Sequence, residues 1–129
     1  MNDARRTVTS PDAPKAVGPY SHGVRVSDLV FTSGQIPLDP ATGKLVEGGI
    51  DSQTRRVMEN LPLVLAAAGT SMSRVVKTTI YLVNLADFAT VNAVYGTYFQ
   101  EAPPARSTVQ VAALPLGAAI EIEAIAHVG

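Results

Sequence analysis

Ile120-Glu121-Ile122-Glu123-Ala124-Ile125-Ala126 alternates between two sides. A period of two puts Ile120 and Ile122 on one side of a strand, and Glu121 and Glu123 on the other. This strand carries two acids among apolar neighbours, so it has one apolar side and one side able to do chemistry. A partly buried carboxylate there would have a raised pKa and could pass a proton to or from water. The competing reading is a solvated face or a pair of surface salt bridges. Spacing alone does not choose between Glu121 and Glu123.

Upstream, Pro103-Pro104-Ala105-Arg106-Ser107-Thr108-Val109-Gln110-Val111 leads into another strand, expected over 106–113. Only 10 of 129 residues are Lys or Arg. The planar fork of Arg106 can hold one carboxylate through two hydrogen bonds, where Lys would offer a point charge. The bland alternative is a weak surface ion pair. A carboxylate clamp together with a placed acid is the seed of a small-molecule site.

The periodicity predicts further elements. His22–Val26 and Leu29–Ser33 read as a hairpin turning at Ser27-Asp28. A helix is expected over 51–68, with Gly69 just past its end, although Pro62 removes one amide and favours a kink. Val75–Val83 is β-branched and reads as a strand. Asp87 is placed to cap a helix over 88–99. Residues 1–16 are polar and Pro-broken and read as a tail, leaving 17–129 as the domain. The predicted order is β-β-α-β-α-β-β. Two helices cannot sheath both faces of such a sheet, so the bare face calls for a second subunit.

Composition narrows the function. Cys is absent, which excludes disulfides, thiolate nucleophiles and Cys-based metal sites and suits a reducing, cytoplasmic setting. The first six residues are not followed by an apolar core, so they do not read as a signal peptide. No apolar run approaches membrane-spanning length. The net charge is −1 and no basic stripe is present, which disfavours nucleic acid. His22 and His127 lack metal-ligand spacing. His22, close to Tyr20, is a minor candidate for proton transfer. Tyr20 could donate to a ligand, Ser33 could bind one, and Gly34 would let one approach the backbone. Asn92 lies inside the second helix, where its amide could reach a ligand or fix a loop.

Gly18-Pro19-Tyr20-Ser21, Thr32-Ser33-Gly34-Gln35-Ile36-Pro37, Val91-Asn92-Ala93-Val94-Tyr95, Pro104-Ala105-Arg106-Ser107 and Glu121-Ile122-Glu123-Ala124-Ile125-Ala126 occur in this order. With Glu59-Asn60-Leu61, Ala67-Ala68-Gly69 and Val76-Lys77-Thr78-Thr79, they span nearly the whole chain. The sequence resembles the Rid family, the reactive intermediate or enamine/imine deaminases. The resemblance implies a chorismate-mutase-like α/β (α+β) domain: a mixed sheet with two helices on one face, assembled as a homotrimer with pockets between subunits. It implies hydrolysis of 2-iminobutanoate and 2-iminopropanoate to 2-oxo acids and ammonia, with no cofactor or metal. By the resemblance Arg106 binds the substrate carboxylate and Glu121 positions or activates water. Tyr20, Ser33, Gly34 and Asn92 line the pocket, with Ser107 and Thr108 beside it. Thr108 stands where many members carry Cys, and Pro62 departs from the usual Asn-Leu-Lys pattern. Two other functions share this scaffold: a 2-oxo acid-binding regulatory module without turnover, and a deaminase for aminoacrylate-type intermediates.

Overall fold

The computed structural model describes residues 5–129. Six strands, β1 (Arg6–Val8), β2 (Gly23–Val26), β3 (Leu29–Thr32), β4 (Val75–Leu82), β5 (Ala105–Gln110) and β6 (Ile120–His127), form one sheet. Helix α1 (Ile50–Ala67) connects β3 to β4, and α2 (Phe88–Gly96) connects β4 to β5. In space the strands run β1-β2-β3-β6-β4-β5. β4 and β5 are parallel and the other pairs are antiparallel. This is the expected mixed sheet with both helices on one face.

Alternation decides which face is which. Ile120, Ile122, Ala124 and Ala126 of β6 are buried, as are Thr78, Ile80 and Leu82 of β4. Val57, Met58, Leu61 and Leu65 of α1, with Val91 and Tyr95 of α2, close over them in one cluster. Burying each large aliphatic side chain contributes about 2 kcal/mol. A bulge between Val75 and Lys77 sets the phase of β4, leaving Lys77 opposite Ile125 and Thr78 opposite Ala124. No helix covers the other face, where Phe31 and Val109 are exposed and Tyr81, Glu121, Glu123 and Ile125 are half-buried.

α1 matches its expected span to within one residue at each end and passes through Pro62 as one helix. The amide lost at Pro62 is offset by the buried stripe of Leu61, Val64 and Leu65 around it. Gly69 ends the helix at φ 85°, with Thr70 N–H donating to Leu65 O and Gly69 N–H to Ala66 O. Inside α1, buried Asn60 donates to Leu38 O at 2.9 Å and accepts from Arg56 Nε at 3.1 Å, tying the loop after β3 to the helix. The hairpin turns at Ser27, φ 53°, as expected. No described helix is long and apolar enough to cross a membrane.

Three expectations change. The stretch read as a tail over 1–16 contributes β1, which pairs with β2 at the sheet edge and adds a strand to the predicted order. Residues 1–4 of that stretch lie outside the described residues. Ser10 and Ala13 are buried because His22 reaches back to this segment. α2 stops at Gly96, and Asp87 makes no side-chain cap. Asn84 Oδ1 accepts from Ala86 N–H instead, capping the short turn Leu85–Asp87 that leads into α2. β5 is shorter than expected and ends at Gln110.

Candidate active site

β6 places Glu121 directly opposite Tyr81 on the helix-free face. Just past β3 the chain rejoins β6: Gln35 N–H donates to Ile122 O at 2.8 Å, and Ile122 N–H to Gln35 O at 3.1 Å. Ser33 and Gly34 are thereby held beside Glu121. Val17, Tyr20, Ser33, Gly34, Ile36, Pro115 and Glu121 line a cavity of about 250 Å³. Glu123 is not among its lining residues. Burial holds the Glu121 carboxyl above its ordinary pKa, and the nearby Glu123 charge pushes it further up.

The other groups here have defined roles. Ser33 Oγ donates to Ser21 O at 2.6 Å, so towards a ligand the hydroxyl can only accept. Val17 N–H donates to Tyr20 Oη at 3.1 Å, leaving the phenol proton free to donate. Gly34 leaves space that Glu121 fills, since a Cβ there would lie 2.6 Å from Glu121 Cδ. His22 is buried; Ser10 N–H donates to its Nδ1 at 2.9 Å and its Nε2 lies 2.8 Å from Pro14 O. Only the Nε2–H tautomer satisfies both bonds, so His22 fastens the N-terminal segment and is not a proton-transfer group.

Arg106 lies elsewhere. β5 sets it beside Thr78, on the helix side of the sheet. Its guanidinium carbon is 5.4 Å from the centroid of the Phe88 ring and 5.0 Å from that of Tyr95. Among the described residues the ion pair found is Arg56–Glu59, and Arg106 has no carboxylate partner. Among the described residues nothing supports the surface ion-pair reading of Arg106. Thr108, two residues on, shares the Arg106 side of β5. Asn92 is one turn from Phe88 on α2. Asn92 Oδ1 and Thr108 Oγ1 are both buried without a hydrogen-bond partner. Ser107 turns to the opposite face and accepts from Lys77 Nζ at 3.2 Å, apart from the Arg106 group.

The predicted residues other than Ser107 thus fall into two separate groups. Register carries the distinction through three strands: Arg106 aligns with Thr78 and Ala124, while Glu121 aligns with Tyr81 and Val109. Adjacent paired residues share a face, so Arg106 and Glu121 lie on opposite faces of one sheet. A single chain does not bring Arg106 to Glu121. One half offers a protonatable carboxyl and hydroxyls, the other an unpaired cation with buried polar atoms. Sequence reasoning did not identify Val17, Ile36 and Pro115 as lining, nor Tyr95 and Phe88 as the rings against Arg106. Both rings lie within the span expected to be helical, but nothing local showed which cation they would meet.

A family model described as endoribonuclease L-PSP matches residues 10–128. Protein DfrA of Myxococcus xanthus is 58% identical over 125 residues, covering 95% of each chain. The 2-iminobutanoate/2-iminopropanoate deaminase of Mus musculus is 48% identical over 125 residues, 97% of this chain and 93% of that one. Among solved structures, E. coli TdcF with bound serine has a TM-score of 0.91 at 42% identity, covering 96% of this chain and 99% of that one. RidA from an Antarctic Psychrobacter has a TM-score of 0.92 at 44% identity, over 95% of this chain and 99% of that one. By its fold, its motifs and these relatives, the chain belongs to the Rid family, whose model is described as endoribonuclease L-PSP.

Proposed function

We propose that the protein hydrolyses 2-imino acids, 2-iminobutanoate and 2-iminopropanoate, to 2-oxo acids and ammonia, in a site completed where two copies meet. The observation that carries this reading is the pair of unfinished half-sites: Arg106 without an anion, and Glu121 with a raised pKa beside an open cavity. Relatives named as deaminases of these two substrates support it. The uncovered helix-free face, with Phe31 and Val109 exposed on it, supports a homotrimer in which the Arg106 of one copy faces the Glu121 of the next. The absence of a basic stripe favours a small acid over RNA as the substrate, and the Cys-free composition favours a cytoplasmic setting.

The chemistry needs little from the protein. The fork of Arg106 binds the substrate carboxylate and fixes C2. Glu121 takes a proton from water as the oxygen adds to C2, and delivers it to the former imine nitrogen. The resulting carbinolamine transfers its hydroxyl proton to nitrogen, the C2–N bond breaks, and ammonia leaves as the C2=O bond forms. A carboxyl whose pKa is raised suits both taking and returning a proton. Tyr20 and Ser33 orient the substrate or the water, and Asn92 and Thr108 complete the clamp side.

The test follows ammonia release from 2-iminobutanoate generated in the assay by a dehydratase. Wild type accelerates release over the spontaneous rate and Arg106→Ala does not. Equal rates for the two proteins would overturn the assignment. Tight 2-oxobutanoate binding without any acceleration would instead mark a regulatory binding module.

A further inference from the structure

An arginine that must bind a small anion repeatedly has to be held before the anion arrives. Its long side chain otherwise loses rotamer freedom each time it binds. Arg106 has no carboxylate to hold it among the described residues, and it projects from β5, an edge strand. What surrounds it is a closed ring of three contacts. Thr78 is its neighbour across the parallel β4–β5 ladder. Thr78 Oγ1 and Tyr95 Oη are hydrogen-bonded at 2.7 Å. The Tyr95 ring in turn lies 5.0 Å beneath the guanidinium. Tyr95 is 5% exposed and Thr78 1%, so this bond is dry and both side chains are fixed by packing. Tyr95 also packs against Phe99, with ring centroids 4.9 Å apart. Phe88, the second ring, is 40% exposed and has no polar anchor, so it follows the guanidinium rather than setting it.

We propose that Tyr95, locked in place by Thr78, is the positioning residue that pre-orders Arg106 for carboxylate binding. This rests on the reading of Arg106 as the clamp. The ring face attracts the cation without neutralising it, as a paired acid would. Both donor edges of the fork stay open to the substrate while the plane of the guanidinium is set. The phenol serves here as a strut. Burial pushes its pKa up, so it stays neutral and adds no charge that would compete for Arg106.

The test is a double-mutant cycle read by 2-oxobutanoate affinity and by the split between KM and kcat for 2-iminobutanoate. Tyr95→Leu removes the ring and should weaken 2-oxobutanoate binding and raise KM by about tenfold, with kcat changed less than about twofold. Tyr95→Phe restores the ring without its anchor and should recover most of the loss. In an Arg106→Ala background, Tyr95→Leu should change affinity by less than about twofold, because the group it positions is gone. An equal loss in both backgrounds would overturn the proposal, since Tyr95 would then act independently of Arg106. If Tyr95→Leu fails to fold, the same cycle with Thr78→Val decides, because that change removes only the hydroxyl bond at nearly constant volume. A loss of about threefold that vanishes without Arg106 supports the proposal, and no loss, or an equal one in both backgrounds, overturns it. Unchanged 2-oxobutanoate affinity in Arg106→Ala alone would instead reject the clamp reading itself.

Discussion

Gly34 and Glu121 are fitted to one another: a Cβ built on Gly34 would lie 2.6 Å from Glu121 Cδ and 2.7 Å from Cγ. Gly34 does not have a positive φ, so the backbone would accept alanine and the strain would fall on the acid. Gly34→Ala should displace the Glu121 carboxyl from the cavity and cut kcat/KM by about tenfold to a hundredfold. Its melting temperature should stay close to that of wild type. A drop in Tm with kcat/KM preserved would contradict this account.

Glu123 is one of two causes that raise the pKa of Glu121. Glu123→Gln should therefore lower it, moving the acidic limb of the kcat/KM profile to lower pH. Stability follows with a definite sign. A carboxyl whose folded pKa is raised binds more protons when folded, so it costs stability as pH rises from the ordinary value of about 4.3 through the raised one. Glu121→Gln should thus be inactive but more stable than wild type at neutral pH, with the Tm difference shrinking as the pH falls to 4 and below. Thermal melts across that range decide it.

Opposite faces make a further prediction. If each working site takes Arg106 from one copy and Glu121 from another, two inactive variants can repair each other. Arg106→Ala and Glu121→Gln, unfolded together and refolded at equal amounts, should recover about a quarter of wild-type activity, half of the sites having the arginine and half of those the acid. No recovery in verified mixed assemblies would show that clamp and acid do not meet across an interface.

His22 joins β2 to the segment after β1 through Ser10 N–H and Pro14 O. His22→Ala would leave two buried backbone groups unpaired and a cavity beside them, costing about 2–3 kcal/mol. Amide exchange should accelerate at residues 10–16 ahead of the sheet. Uniform exchange protection in the variant would refute the fastening role.

Much of this was legible in the chain. The alternation of Ile120–Ala126 fixed a strand with one apolar side, and the period around Leu61 and Leu65 fixed α1 despite Pro62, because burial outweighs one lost amide. β1 was not legible: three residues on an edge make no pattern, and their pairing is with β2, a separate segment of the chain. Nor was the Asn84 cap, which competes with an equally plausible Asp87 three residues later. For the site, family motifs supplied Arg106, Glu121, Tyr20 and Ser33, but not their relative placement. Parity tells which residues of one strand share a face. It cannot tell that Thr78 rather than Thr79 lies beside Arg106, since register between strands is set by tertiary packing and by the bulge at Val76. That single offset separates Arg106 from Glu121.

β6 is last in the chain yet sits between β3 and β4. Until it inserts, β1–β3 and β4–β5 are two disconnected pieces with raw edges, neither able to bury the apolar side of α1. Cooperative folding must therefore wait until β6, Ile120–His127, has left the ribosome, and strand pairing between chain segments so far apart is slow. A nascent chain halted before Ile120 should be a client for chaperones, and deleting β6 should abolish the fold.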